Sequence, residues 1–163
     1  MAMKRNLIVL VALLAFAGLG LAQKFAIYTG YPLGLGGMYY LSENMRVDGA
    51  FALITNGFGI GGGLDLILDK APLSEEEGAA PLSYYYGVGA SASFLSWRIL
   101  GVSGSAFSLG ANGFGGLEYK FSDTLGGFFE VGAGPVMVFA SVSGYGGSGF
   151  GFGFFGRLGL NFY

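Results

Sequence analysis

The chain contains no histidine and no cysteine. Without cysteine it can build neither a disulfide framework nor a thiolate metal site. Without histidine it loses the commonest general base and metal ligand. Charge is scarce as well, with Asp, Glu, Lys and Arg making up only 11% of the residues. Beyond the N-terminal segment no apolar run reaches the ~18 residues of a membrane-spanning helix. What fills the sequence instead is glycine, 33 of 163 residues, with 53% hydrophobic and 17% aromatic residues. Such a chain is too apolar for an ordinary soluble domain and has no helical span. A β-barrel resolves the conflict, because only alternate residues of each strand need to be apolar.

The N-terminus reads as a secretory signal, residues 1–22. Lys4 and Arg5 precede an apolar stretch from Leu7 to Leu21, and Gly20-Leu21-Ala22 supplies small residues for cleavage before Gln23. The apolar run is short for a spanning anchor, which needs about 20 residues. The second segment, 23–163, is then one domain of 141 residues with six basic and ten acidic side chains, a net charge of −4. That balance argues against nucleic acid as a partner.

Side-chain parity carries the fold. In a strand, alternate residues face opposite ways. In the last stretch, Phe150, Phe152, Phe154, Leu158, Leu160 and Phe162 share one side while Arg157 and Asn161 share the other. Earlier segments repeat the pattern. Val47, Phe51 and Leu53 oppose Arg46 and Asp48; Ile60, Leu64, Leu66 and Leu68 oppose Asp65 and Asp69; Leu117 and Tyr119 oppose Glu118 and Lys120; Phe129 and Val131 oppose Glu130. A Lys or Arg facing lipid at mid-membrane costs ~2–4 kcal/mol, so the polar sides belong inside. Arg46, Asp48, Asp65, Glu118, Lys120, Glu130 and Arg157 are therefore expected to form a charged network filling the lumen, because buried charges persist when paired.

The expected fold is all-β, an antiparallel up-and-down transmembrane barrel of eight strands. One division takes Lys24–Gly30, Gly34–Leu41, Arg46–Thr55, Phe58–Asp69, Leu82–Leu95, Phe107–Phe121, Gly126–Phe139 and Phe150–Tyr163. A second joins 46–69 as one bulged strand and adds Arg98–Gly104; the sequence leaves both open. Ser42-Glu43-Asn44-Met45 and Ser122-Asp123-Thr124-Leu125 are similar tight turns, and the likeness extends to Gly36/Gly116 and Tyr39/Tyr119 at an offset of 80. Asn56-Gly57 suits a type I′ hairpin. Lys70 to Pro81, with Glu75-Glu76-Glu77, and the Ser/Gly-rich stretch 140–149 read as loops. Tyr39, Tyr40, Tyr84, Tyr85, Tyr119 and Trp97 are expected in the aromatic girdles at the two membrane interfaces.

Gly57-Phe-Gly-Ile-Gly-Gly62 and Gly151-Phe-Gly-Phe-Phe-Gly156 match a dinucleotide-binding pattern, but neither opens a helix, so no nucleotide cofactor follows. No cofactor or metal is implied, and no nucleophile–base pair stands out. The expected function is non-enzymatic; a lipid-acting barrel enzyme or a small ion channel is the alternative.

With its signal segment, alternating strands, tight turns and aromatic final strand, the chain resembles the small outer-membrane β-barrels of Gram-negative-type bacteria, the opacity-protein and outer membrane protein A-like class. The resemblance implies localisation in the cell outer membrane, contact with its lipid, and recognition of the last strand (here Leu158, Leu160, Phe162 and Tyr163) by the barrel-assembly machinery. Tyr163 falls on the opposite parity from the apolar series that ends at Phe162. Roles in envelope integrity, surface contact or adhesion follow by analogy. An eight-stranded barrel leaves an interior that side chains fill, against a wide porin-like pore.

Overall fold

The computed structural model describes residues 24–31, 34–54, 56–74 and 81–163. The proposed signal segment and Glu75–Glu77 lie outside them. Eight strands follow in chain order: β1 Phe25–Tyr31, β2 Leu35–Tyr40, β3 Met45–Ile54, β4 Gly57–Pro72, β5 Leu82–Ile99, β6 Val102–Lys120, β7 Leu125–Val142 and β8 Tyr145–Phe162. Each pairs antiparallel with the next, and β8 returns to β1, so the sheet closes on itself. The first of the two strand divisions holds. Arg98–Gly104 is not a separate strand but the β5/β6 turn and its flanks, with Leu100 (φ 50°) and Gly101 (φ 84°) at its tip.

Register fixes the shape of the barrel. Ile27 pairs with Gly37, and that row continues through Gly49, Gly62, Ala92, Leu109 and Met137 to Phe150 on β8. Ile27 itself pairs with Leu160. The row thus returns ten residues from its start, a shear of ten for eight strands, which tilts the strands by ~35–45° to the axis.

Three local readings change. The stretch 140–149 is not a loop: β7 and β8 pair to Val142↔Tyr145 across a turn at Ser143 and Gly144. Small residues there are strand residues with little to pack against. The β3/β4 turn sits one position earlier than Asn56-Gly57, because Ile54 pairs with Gly57 and Asn56 takes φ 63°. Asp69 turns outward. A bulge between Ile67 and Asp69 shifts the β4 register, so Asp69 pairs with the outward Tyr86 and Lys70 with the inward Tyr85.

Six strand glycines lie directly under aromatic rings. Inside the barrel, Tyr28 covers Gly36, Phe114 covers Gly87, Tyr85 covers Gly116, Phe155 covers Gly132 and Phe128 covers Gly159; at the far tip Trp97 covers Gly104. In each pair a Cβ on the glycine would collide with the ring. Strand glycine, unfavourable by itself, here makes room for aromatic side chains in a narrow interior. Tyr40, Tyr85 and Trp97 consequently share the inward parity and are not girdle residues.

Candidate functional site: the charged interior

The barrel has two rims. The near rim holds Lys24, Tyr163 and the turns after β2, β4 and β6; the far rim holds the turns after β1, β3, β5 and β7. Between them the inward residues form layers. Two apolar clusters, Ala26–Tyr28–Met38–Phe128 and Ile67–Tyr85–Phe114, flank the charges.

The central layer joins β3, β4, β7 and β8. Arg46 directs Nε and Nη2 to Asp65 Oδ2, both at 3.1 Å, and Nη2 also donates to Glu130 Oε2. Arg157 directs Nη1 to Asp65 Oδ2 and Glu130 Oε1, each at 3.2 Å, and Nη2 to Asp48 Oδ2 at 2.6 Å. The Tyr28 hydroxyl donates to the same Asp48 oxygen at 2.8 Å. Each guanidinium also lies over two rings: Arg46 over Phe114 (4.7 Å) and Tyr85 (5.6 Å), Arg157 over Phe155 (4.6 Å) and Tyr28 (5.2 Å). The side chains of Arg46 and Glu130 are 0% exposed. Charge-assisted bonds and ring faces replace most of the water these groups give up, while Arg46 Nη1 and Asp48 Oδ1 have no hydrogen-bond partner among the described residues.

A second layer closes the near rim around Glu118. Its carboxylate accepts from Lys24 Nζ (2.9 Å), Lys70 Nζ (2.5 Å), Asn161 Nδ2 (2.7 Å) and the Tyr163 hydroxyl (2.8 Å). Tyr40 donates to Asn161 Oδ1 at 3.4 Å. Lys24 lies over the rings of Tyr40 and Tyr163. The central layer carries two cations and three carboxylates, the rim layer two cations and one carboxylate, so the interior as a whole is electroneutral.

Of the seven residues expected inside, the structure brings Arg46, Asp48, Asp65, Glu130 and Arg157 into one layer and places Glu118 in the other. Lys120 stands apart. It shares Glu118's parity but ends β6 beyond the rim, where it pairs with Asp123 across the turn at 3.0 Å in solvent. Lys24, Lys70 and Tyr163 were missed as interior partners, and Asn161, expected on the inward face, turns out to bond Glu118. Lys24 and Tyr163 were legible from parity, since they fall in phase with Ala26 and Asn161; Lys70 was not, because the bulge re-aims it. In the final strand, Leu158 and Leu160 face outward, Phe162 stacks on Phe25 at 4.7 Å, and Tyr163 turns its hydroxyl inward.

Above the central layer most of the wall is Gly, Ala and Ser, with Asn112 and Val136 among them, and a cavity of about 190 Å³ opens between Asp48, Arg157, Ser91, Ser108 and Gly153. Among the described residues no cluster of three or more carboxylates is placed to hold a metal ion, and no helix is long and apolar enough to cross a membrane. No family model, curated protein or solved structure matches the chain.

Proposed function

We propose that the chain is an outer-membrane β-barrel, exported by a signal cleaved after Ala22, that serves envelope structure or surface interaction without an open pore. One observation carries the reading: among the described residues, no charged side chain lies on the outer face between the rims. The charged groups are interior (Arg46, Asp48, Asp65, Lys70, Glu118, Glu130, Arg157) or sit at rims and turns, as with Glu43, Asp69, Arg98, Lys120 and Asp123. The outer face is instead apolar and bare, with Phe150 77%, Phe152 75% and Phe154 69% exposed. A water-soluble monomer rarely shows a continuous apolar patch beyond a few hundred Å².

The belt has the right height. Phe129 to Phe139 spans ten steps of β7, ~34 Å along the strand, or ~26 Å along the axis at a tilt of ~40°. The apolar band of outer-membrane barrels is ~25 Å tall. A chain that enters and ends on the periplasmic side sets the near rim there and the far rim outside. The β5/β6 and β7/β8 tips, with Leu100 and Tyr145 almost fully exposed, then rise above the membrane, which favours a surface-contact role.

The test is fractionation of the full-length gene product with gel mobility before and after boiling. A membrane fraction that resists carbonate and shifts on heating is expected. Complete release by carbonate would overturn the reading.

A further inference from the structure

The wall of the barrel is uneven. The β1–β2 hairpin is short: β1 ends at Tyr31, which pairs with Gly156, and β2 begins at Leu35, which pairs with Phe51. On one side of this hairpin β8 continues from Phe155 up to Tyr145, bonded only to β7. On the other side Ala52, Leu53 and Ile54 of β3 are bonded only to β4. A gap two strands wide therefore interrupts the far half of the wall.

The β8 border of the gap has a defined polarity. Tyr163 N–H donates to Thr124 on the β7 side. Backbone groups of alternate residues point to opposite edges of a strand, so those of Phe154, Phe152, Phe150, Ser148 and Gly146 face the gap. Among the described residues nothing pairs with them. The chain's own hairpin connection is too short to run along this edge. Gly30 N–H already bonds Gly34 O, and the two residues between Tyr31 and Gly34 span at most ~7 Å, against ~34 Å for ten residues of edge.

Phe150, Phe152 and Phe154 belong to the apolar belt, two to six positions below the row that pairs Phe139 with Ser148. On the proposed membrane reading, on which this inference rests, the free edge lies within hydrocarbon. Lipid tails cannot satisfy backbone N–H and C=O groups, and open sheet edges do not occur facing them. A second copy of the chain does not fit either. Copies that share one orientation in the membrane are related by an axis along its normal, which cannot set two β8 edges antiparallel, and the β3 edge offers only three residues.

We propose that the β8 edge is the docking site for an extended segment of a different protein, added in line with the β1–β8 ladder as an extra strand. The edge specifies the chemistry of that segment. Outward positions beside Phe150, Phe152 and Phe154 call for apolar side chains. Inward positions beside Gly151 and Gly153 call for small ones, because the cavity beside Gly153 is only about 190 Å³ and Val136 already stands 3.6 Å from where a Cβ on Gly153 would lie. Main-chain bonds supply the affinity and the alternating side chains the selectivity.

The experiment uses the full-length protein folded in lipid micelles and a synthetic ten-residue peptide of alternating Leu and Ser, read by amide hydrogen exchange. Without peptide, the Phe150 and Phe152 amides should exchange at least tenfold faster than those of Gly151 and Gly153, which face β7. With peptide the difference should vanish. Phe152→Pro removes an N–H that no strand uses; it should keep heat-modifiable mobility and lose the protection. Protected Phe amides in the protein alone, an unchanged rate with peptide, or a cross-linked dimer joined at Ser148 would each overturn the proposal. Loss of heat-modifiable mobility in the unaltered protein would instead reject the membrane reading beneath it.

Discussion

Arg46 and Arg157 hold the same two carboxylates, Asp65 and Glu130, from strands β3 and β8. Their removal should differ in cost. Arg46→Leu removes three bonds, two to Asp65 and one to Glu130, from a site with no water contact and leaves each carboxylate only a 3.2 Å bond to Arg157, and breaking a buried pair from one side costs ~3–5 kcal/mol. Arg157→Leu leaves Asp65 and Glu130 their bonds to Arg46, and leaves Asp48 its bond to Tyr28. The urea midpoint of the heat-modifiable band should fall for both, and further for Arg46→Leu. Adding Glu130→Leu to Arg46→Leu should recover part of the loss, since an apolar pair of similar volume does not demand desolvation of charge. An unchanged midpoint for Arg46→Leu would mean that the layer fills space without stabilising it. Glycines divide in the same way. A Cβ at Gly134 would strike the carbonyl oxygen of Ala111 and the backbone of Asn112, whereas at Gly151 it would meet nothing. Gly134→Val should abolish the compact band, and Gly151→Ala should leave it unchanged.

The two near-rim turns show how a faint sequence echo can be structural. Leu41 and Ser42 both donate to Met45 O, and Asn44 N–H to Ser42 Oγ; Phe121 and Ser122 both donate to Leu125 O, and Thr124 N–H to Ser122 Oγ. The serine side chain caps each turn, so Ser122→Ala should lower stability by ~0.5–1.5 kcal/mol, the scale of one hydrogen bond, measurable as a small drop in urea midpoint. At the level of strands, parity made the β3–β8 faces legible, because a slip by one residue would turn Arg46, Asp65, Glu130 and Arg157 outward together. It could not reveal the bulge that turns Lys70 inward, since a single extra residue leaves no compositional mark. Nor could it show that 140–149 is paired. Gly and Ser are weak strand formers, and only the ladder with the neighbouring chain segment holds them extended. This extension also gives a prediction. Ser141, Val142, Tyr145 and Gly146 lie beyond the row of Phe139 and Ser148. Deleting all four leaves Ala140 opposite Gly147 with a two-residue turn, so register is kept. The shortened chain should still fold and shift on heating. Loss of the folded band would show that the tip nucleates the hairpin.

Taken as a whole, the barrel is sealed by its contents. Eight strands give an interior about as wide as the side chains that fill it. Here the filling is complete across the charged layers: Met38, Arg46, Glu130 and Asn161 have no solvent contact, and Glu118, Lys24 and Tyr163 close the rim beneath them. Electroneutrality matters to this arrangement, because an unbalanced charge in a water-poor interior would draw in a counter-ion and the water that accompanies it. The cavity above Asp48 and Arg157 ends at this floor. It follows that the protein, inserted into a planar bilayer in concentrated KCl, should produce no steady conductance steps. A conducting path would require both layers to part, and each is held by several charge-assisted bonds at once. Steady ohmic steps from the unaltered chain would contradict the sealed interior. They would also favour the small-channel reading. Silence from the unaltered chain, with intermittent steps when Arg46→Ala and Glu118→Ala are combined, would locate the seal in the two charged layers.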